Sequence, residues 1–515
     1  MKFYLLSWII IVLLYTKQGY GQTWPKVYNH SQHHTVRSIV EDYDHGYLIT
    51  GQTYQGGAPR WAWIKKTDVN GEILWEKVFG DYSFNTFFSS IIKSSDNGTI
   101  LAGGSSKYDP DNLQDPLILK IDPCGNIEWC TILQSINTIS GSTGIKTLEL
   151  ADGSLIVLLK YYGTDPSRYR ISLAKLNASG IPIWIQNLAQ VNPLILNEEG
   201  YDLLKVNDSS YVVSGHCFPY PNGQKPYWIH ADEHGEQTWE YISYEGSGST
   251  DISVLYPDTS IFTMSVYRES TNAKLPHIFR ISHDGQLIGK YPLLGDTIAG
   301  SSAIPLVLFN DTVLFSGIQW RAIGASYDES NNEAVLFDTI GIIIKRKHLI
   351  VNDLGPECAI KTHDDKLLVA GTFVINDKFE VYLWKLNDQL EFDSAYTQLI
   401  VYDSLCPDSI ISNTVDYDCN FIVNIDEIPS LNEYRSKFNA YPNPADNYFF
   451  VEKQKSNANK HYLLEIFDSL GKKMEPKSFD DQIIKIDSST WPSGIYLLIL
   501  REDDKLIDSG KIIIK

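Results

Sequence analysis

Past its first 21 residues this chain of 515 has no apolar run long enough for a membrane helix. Positive charge is scarce: 43 Lys and Arg face 63 Asp and Glu, a formal charge of −20 spread along the chain rather than gathered in a tail. Such a surface repels phosphate backbones and anionic lipid, which argues against a nucleic-acid partner and is what solubility outside a cell needs. Cysteine is sparse too, six in all with no Cys-x-x-Cys pair, so a structural zinc site has no support. There is no Gly-x-Ser-x-Gly elbow, no His-Glu-x-x-His and no glycine-rich phosphate loop leading into a helix. The several Asp-x-Gly turns do not extend to the sialidase box Ser-x-Asp-x-Gly-x-Thr-Trp, and turn capping accounts for their aspartates. No catalytic residue, cofactor-binding residue or metal ligand is therefore singled out by motif.

What is present begins with a charged start, Met1-Lys2, an apolar run from Phe3 to Tyr15, and Gly19-Tyr20-Gly21. That is the layout of a secretory signal peptide over residues 1–21, cleaved after Gly21. In an exported protein the cysteines are expected to oxidise. Cys124 and Cys130 flank one hairpin turn and Cys406 and Cys419 flank one short segment, so two local disulfides are expected, with Cys217 and Cys358 left over.

The body of the chain repeats one pattern. Asp44-His-Gly46 leads into the apolar strand Tyr47 to Thr50, then the alternating strand Trp63 to Asp68, then Asn70-Gly71 and Trp75. Asp-x-Gly suits a tight turn, and Asn-Gly is a strong hairpin signal of the type I′ kind. The anchor aspartates stand at 44, 96, 152, 208, 258, 311 and 364, at intervals of 52, 56, 56, 50, 53 and 53 residues. Seven units of strand and turn at this period predict an all-β fold, a seven-bladed β-propeller over residues 22–400. Trp24-Pro-Lys26-Val27-Tyr28 copies Trp75-Glu-Lys77-Val78-Phe79, so the N-terminal strand is expected to pair with the Asp364 unit and close the ring without an open edge. Eight blades, one of them incomplete, is the competing reading.

Glycine precedes tryptophan by four residues at 71 and 75, 125 and 129, 180 and 184, and 235 and 239. This resembles the tryptophan-docking motif of quinoprotein-type propellers, which implies an indole packed against the neighbouring blade. That family's cofactor pocket and metal ligands have no counterpart here. The repeat as a whole resembles the secreted propellers found ahead of bacterial sorting domains.

Residues 401–436 are polar and turn-rich and read as a linker. From 437 to 515 short alternating strands separated by Pro and Gly turns make a small C-terminal β-sandwich. This stretch resembles the C-terminal sorting domain of the type IX secretion system in its Tyr441-Pro442-Asn443-Pro444 start, its Asp468-x-x-Gly471-Lys472 turn, its Gly494-Ile495-Tyr496 strand and its end from Lys511 to Lys515. The resemblance implies passage through the inner membrane by the signal peptide, recognition of this domain by outer-membrane type IX machinery, and a secreted or cell-surface product.

Three weaker features bear on ligands. Asp109, Asp111 and Asp115 offer oxygens to calcium, without the Gly and terminal Glu of an EF-hand loop. His33 and His34 are adjacent on a strand and so face opposite ways. The stretch from Cys217 to Trp228, with Phe218, Tyr220 and Tyr227, suits either a recognition surface or packing on the next blade. Two functions stand open: a non-enzymatic exported module that binds a glycan, polymer or protein, and a polysaccharide hydrolase or lyase working in the channel. Carboxylates, or a His and a Tyr, converging on the axis would favour the second.

Overall fold

A computed structural model describes residues 24–515 apart from 29–31, 55–58, 81–82, 109–112, 135–137, 165–166, 189–194, 220–221, 269–274, 294–297, 323–330 and 350–354. Also outside it are 376–377, 400–405, 407–409, 423–437, 454–461, 469–471, 475, 480 and 503–504. The signal-peptide segment 1–21 thus lies outside the described residues. The described secondary structure is all strand, and no described helix is long and apolar enough to cross a membrane.

The first of two compact units ends at Glu427. In it, antiparallel four-stranded sheets follow one another along the chain, seven in number, each an up-and-down blade. The first strands of successive blades touch all the way round, including blade 7 (Pro356–Lys361) against blade 1 (His33–Glu41), so they line the axis of a closed ring. The fold is a seven-bladed propeller. Blade 7 takes its fourth strand from the N-terminus: Lys26, Val27 and Tyr28 pair with Leu383, Tyr382 and Val381. The expected closure is what the structure has, and the eight-bladed alternative falls.

The tryptophans hold the ring together at one end. The indole of Trp24 covers Gly71 of blade 1, Trp75 lies near Gly125 of blade 2, Trp129 covers Gly180, Trp184 covers Gly235 and Trp239 covers Gly285. A Cβ at Gly180 would sit 2.4 Å from Trp129, so glycine is required by packing. It is required by conformation as well, with φ +76°. Each indole therefore docks on the next blade and not on the glycine four residues before it. The turns themselves correct one expectation. Asn70-Gly71 is not type I′, because only Gly71 has positive φ. Asp68 instead accepts from the N–H groups of Asn70 and Glu72, and the left-handed glycine makes a bulge. The anchor aspartates cap their turns at 44, 96, 152 and 258, whereas Asn207 and Asn310 take that job beside Asp208 and Asp311.

The segment expected as a free linker is docked. Asn413–Val415 adds a parallel fifth strand to blade 1, and Asn420–Ile422 adds one to blade 2. Between them Tyr417 is buried, its hydroxyl 2.7 Å from Thr86 Oγ1 and 2.8 Å from Ser105 Oγ. The disulfides fasten this strap. Cys124 joins Cys406 and Cys130 joins Cys419, with Cα separations of 5.5 and 4.6 Å. The four expected cysteines are oxidised, but the local pairing is wrong. The strand Ile127–Leu133 carries Cys130 away from the turn that holds Cys124, about 3.3 Å for each residue, while a disulfide needs Cα atoms within about 7 Å.

The second unit, from Ile428, has two sheets. One contains Phe438–Tyr441, Tyr448–Lys453 and Ile483–Asp487; the other contains Lys477–Phe479, Tyr462–Phe467, Gly494–Glu502 and Lys505–Ile514. Alternate residues, among them Phe449, Val451, Leu464, Ile466, Leu498 and Ile512, meet in one apolar core. This is the expected small sandwich.

Candidate functional site

The ring has two unlike ends. At one, the first and second strands of each blade are joined by tight turns. The opposite end carries the links between second and third strands and between blades, and there polar side chains gather on blades 3 and 4. Blade 4's first strand (Ile195–Asn207) supplies Glu198, Glu199 and Tyr201, and its second strand (Ser210–Pro219) supplies His216, paired in register with Glu199. Blade 3 brings Lys160, Tyr169 and Arg170 from its second and third strands.

Glu199 is the hub. Its carboxylate accepts from Lys160 Nζ at 2.9 Å and from the Tyr201 hydroxyl at 3.4 Å, and lies 3.9 Å from His216 Nε2. Lys160 also stands 4.4 Å from the centre of the Tyr169 ring, a cation–π contact. The Tyr169 N–H is fixed by Asn197 Oδ1 at 2.9 Å. Burial first, and then the Glu199 charge, raise the Tyr201 phenol well above its ordinary pKa, so it stays a donor. Tyr201 is 36% exposed, and the His216 ring behind it is buried at 5.3 Å. Glu198 is fully buried, 3.9 Å from the Arg170 guanidinium. Beside it, burial and then Glu198 push the Cys217 thiol up, which leaves it protonated and inert.

Further along the same strand, Asp202 of blade 4 is fully buried, ion-paired with Lys146 of blade 3 and accepting from the Ser253 N–H of blade 5 at 2.7 Å. With both oxygens engaged it acts as a pin across three blades. Asp251 keeps some solvent contact, yet packing around it and then the Asp202 charge push its carboxyl to about 8. Across the ring Glu357 accepts from Thr372 Oγ1 at 2.7 Å and lies 3.4 Å from Arg37 of blade 1.

The features singled out by sequence fall as follows. Asp115 is buried at the start of its strand, accepting from Gln134 Nε2 at 3.4 Å, while Asp109 and Asp111 lie outside the described residues. His33 sits against Phe379 and His34 stacks on Trp63, apart as the strand geometry requires. In the aromatic stretch Tyr227 and Trp228 are buried, and the Trp228 indole donates to Thr263 of blade 5 at 2.9 Å, so this part packs; Tyr220 is outside the described residues. In the tail, the Asn443 side chain accepts from the Ile513 N–H at 3.0 Å, and the Lys515 N–H donates to Ala445 O at 2.9 Å. The two ends of the expected sorting motif thus meet. Tyr441, Pro442 and Pro444 are exposed beside them, and Lys511 pairs in register with Leu497. Gly494 opens its strand, and the Tyr496 hydroxyl donates to Pro492 O at 2.9 Å. Gly471 lies outside the described residues. The hub residues gave no sequence signal, because Lys160 and Glu199 are 39 residues apart in different repeats.

Residues 439–515 match the family described as the secretion system C-terminal sorting domain. The tail is a type IX sorting tail. It implies engagement with the type IX machinery and marks the protein for secretion or the cell surface. No curated protein matches the chain at a significant level. Among solved structures, a polysaccharide lyase acting on ulvan aligns at 8% identity over 71% of this chain and 96% of its own, with a TM-score of 0.47. A lectin from Burkholderia pseudomallei aligns at 7% over 71% and 99%, with a TM-score of 0.45. A Hadza microbial sialidase aligns at 12% over 64% and 74%, with a TM-score of 0.40. At these scores the likenesses carry no functional argument.

Proposed function

We propose that the exported ring is a non-enzymatic binding or adhesion module that holds a glycan at its loop end, between blades 3 and 4. One observation carries this: the open Tyr201 ring stands beside a carboxylate, Glu199, already held by Lys160. An aromatic face takes the apolar face of a sugar, and a fixed carboxylate and ammonium take its hydroxyls. The charges here neutralise one another in pairs, which suits holding a ligand more than moving its protons. The test is a glycan and polymer binding screen on the mature chain, followed by isothermal titration of Tyr201→Ala. Loss of binding in that variant supports the reading; unchanged binding, or no ligand across the screen, sinks it.

The alternative is a polysaccharide hydrolase or lyase, favoured by the meeting of Tyr201, His216 and Glu199. Incubation with neutral and acidic polysaccharides, followed by assay of new reducing or unsaturated ends, decides. Cleavage that disappears in both Tyr201→Phe and His216→Ala would replace the binding reading.

A further inference from the structure

The seam where the ring closes carries a second cluster, at the tight-turn end and independent of the loop-end reading. Glu41 is the last residue of blade 1's first strand, and His45 lies in the turn that follows. That turn holds His45 at φ +61°, with the Asp42 N–H on Gly46 O at 2.8 Å and the Gly46 N–H on Asp44 Oδ1 at 2.9 Å. His363 comes from the matching turn of blade 7, 322 residues away. Its N–H donates to Glu41 Oε2 at 2.8 Å. The other oxygen, Oε1, is shared by His363 Nδ1 and by His45 Nδ1 at 3.3 Å. The two imidazoles stack, with centroids 3.6 Å apart. One donor atom from each of the three residues lies within 4.8 Å of the other two, and both rings are about a third exposed.

The repeat supplies its own control. At the seam of blades 2 and 3 the same device recurs: Glu149, last residue of blade 3's first strand as judged by its pairing with Leu155, accepts from the Ser95 N–H at 2.7 Å. There the turn side chains on the carboxylate are Ser94 and Ser95, at 2.9 and 3.0 Å. The position equivalent to His45 is Asn97, Gly153, Thr259 or Asp365 in the other left-handed turns. Fastening two blades through a glutamate and a turn N–H therefore needs no imidazole. At the closing seam alone among these turns, two imidazoles replace small residues around the carboxylate.

We propose that Glu41, His45 and His363 bind a divalent transition cation of the zinc type, which clamps blade 1 to blade 7 at the seam where the two ends of the ring meet. Two imidazoles and a carboxylate are a donor set for such an ion, with a fourth position left to solvent. Ligands about 2.0–2.2 Å from zinc stand about 3.3 Å apart, so the rings reach the ion by swinging out of their stack by about an ångström. An ion bound only by the folded ring stabilises it by mass action.

The experiment titrates Zn2+ into the chelator-stripped, mature full-length chain, read by calorimetry and by thermal melting. Two variants borrow the protein's own alternatives, His45→Asn after Asn97 and His363→Ser after Ser95, so the turns keep their geometry. One Zn2+ per wild-type chain is expected, with a higher Tm in its presence. Each variant should weaken binding by more than the about 10–100-fold that loss of a mere supporting group costs. A Co2+ derivative should show visible ligand-field bands in the wild type that vanish in the double variant. Absence of stoichiometric Zn2+ uptake, or uptake and Tm shift that survive in the folded double variant, would overturn the proposal.

Discussion

The two ends of the propeller are built by different rules. At the tight-turn end one solution recurs: a side chain caps a turn, a left-handed residue closes it, and an indole from the previous blade covers the glycine of the next. At the loop end blades 3 and 4 assemble Lys160, Tyr169, Glu199, Tyr201 and His216 from strands that share no motif. The comparison teaches that repetition serves the closure of the ring, whereas distinctiveness gathers where the repeat lapses.

The hardest way to break the contrast is to strike the repeated end. Trp184→Ala removes a buried indole from the glycine of the next blade and should cost about 3–5 kcal/mol by urea unfolding. Tyr201→Ala at the loop end should cost about 1 kcal/mol, less than the Trp184 change, since its side chain is partly open to solvent and touches the His216 ring on one side only. Equal losses would erase the distinction. Gly180→Ala should cost about 3 kcal/mol, the sum of a left-handed backbone and crowding against Trp129.

Next comes the strap, where a non-repeating segment is fastened to the repeat. The paired change Cys130→Ser with Cys419→Ser opens a crosslink between residues 289 apart and should cost about 2–4 kcal/mol. Non-reducing peptide mapping should find Cys124 with Cys406 and Cys130 with Cys419; locally paired cysteines would refute the docked strap.

These regions differ equally in how far their sequence betrays them. Asp96-Asn-Gly98 announces its turn because the physics acts within a few residues, whereas the docking of Trp129 on Gly180 crosses blades and shows only through the recurrence of glycine four residues before tryptophan. The closing strand was legible because Trp24 to Tyr28 copies Trp75 to Phe79, and copies pair alike. The docked strap was not, since Asn413–Val415 and Asn420–Ile422 are only three residues each and paired with strands some 300 residues earlier. Spacing alone joined Cys124 to Cys130, and only the extended strand between them forbids it. Glu41 with His363, and Lys160 with Glu199, meet across blade boundaries, where no local pattern reaches.

A smaller effect separates the axis from both ends. Asp251 has its carboxyl raised to about 8, first by burial and then by Asp202, against about 3.9 in an unfolded chain. Between those values the native state holds a proton that the unfolded chain has lost, so this group makes stability fall as pH climbs from about 4 to about 8. Asp251→Asn should remove that slope, matching wild type near pH 4 and exceeding it by on the order of 2 kcal/mol above pH 8, after discounting for solvent contact. Parallel stability curves for the two proteins would show that the axis tolerates an ionised Asp251.

The finest test keeps the backbone constant and varies only what lies over it. Gly153 has φ +76°, the same as Gly180, but a Cβ there meets only the Ala178 methyl at 3.5 Å, an ordinary contact. The difference arises because Gly153 closes a turn between first and second strands, where no indole docks. Gly153→Ala should therefore cost only the left-handed penalty, about 1 kcal/mol, partly offset by the lower entropy of the unfolded chain. If Gly153→Ala proves as costly as Gly180→Ala, conformation alone accounts for glycine in these turns and the indoles merely rest on them. If it costs about a third as much, the remainder measures what docking between blades contributes at each seam.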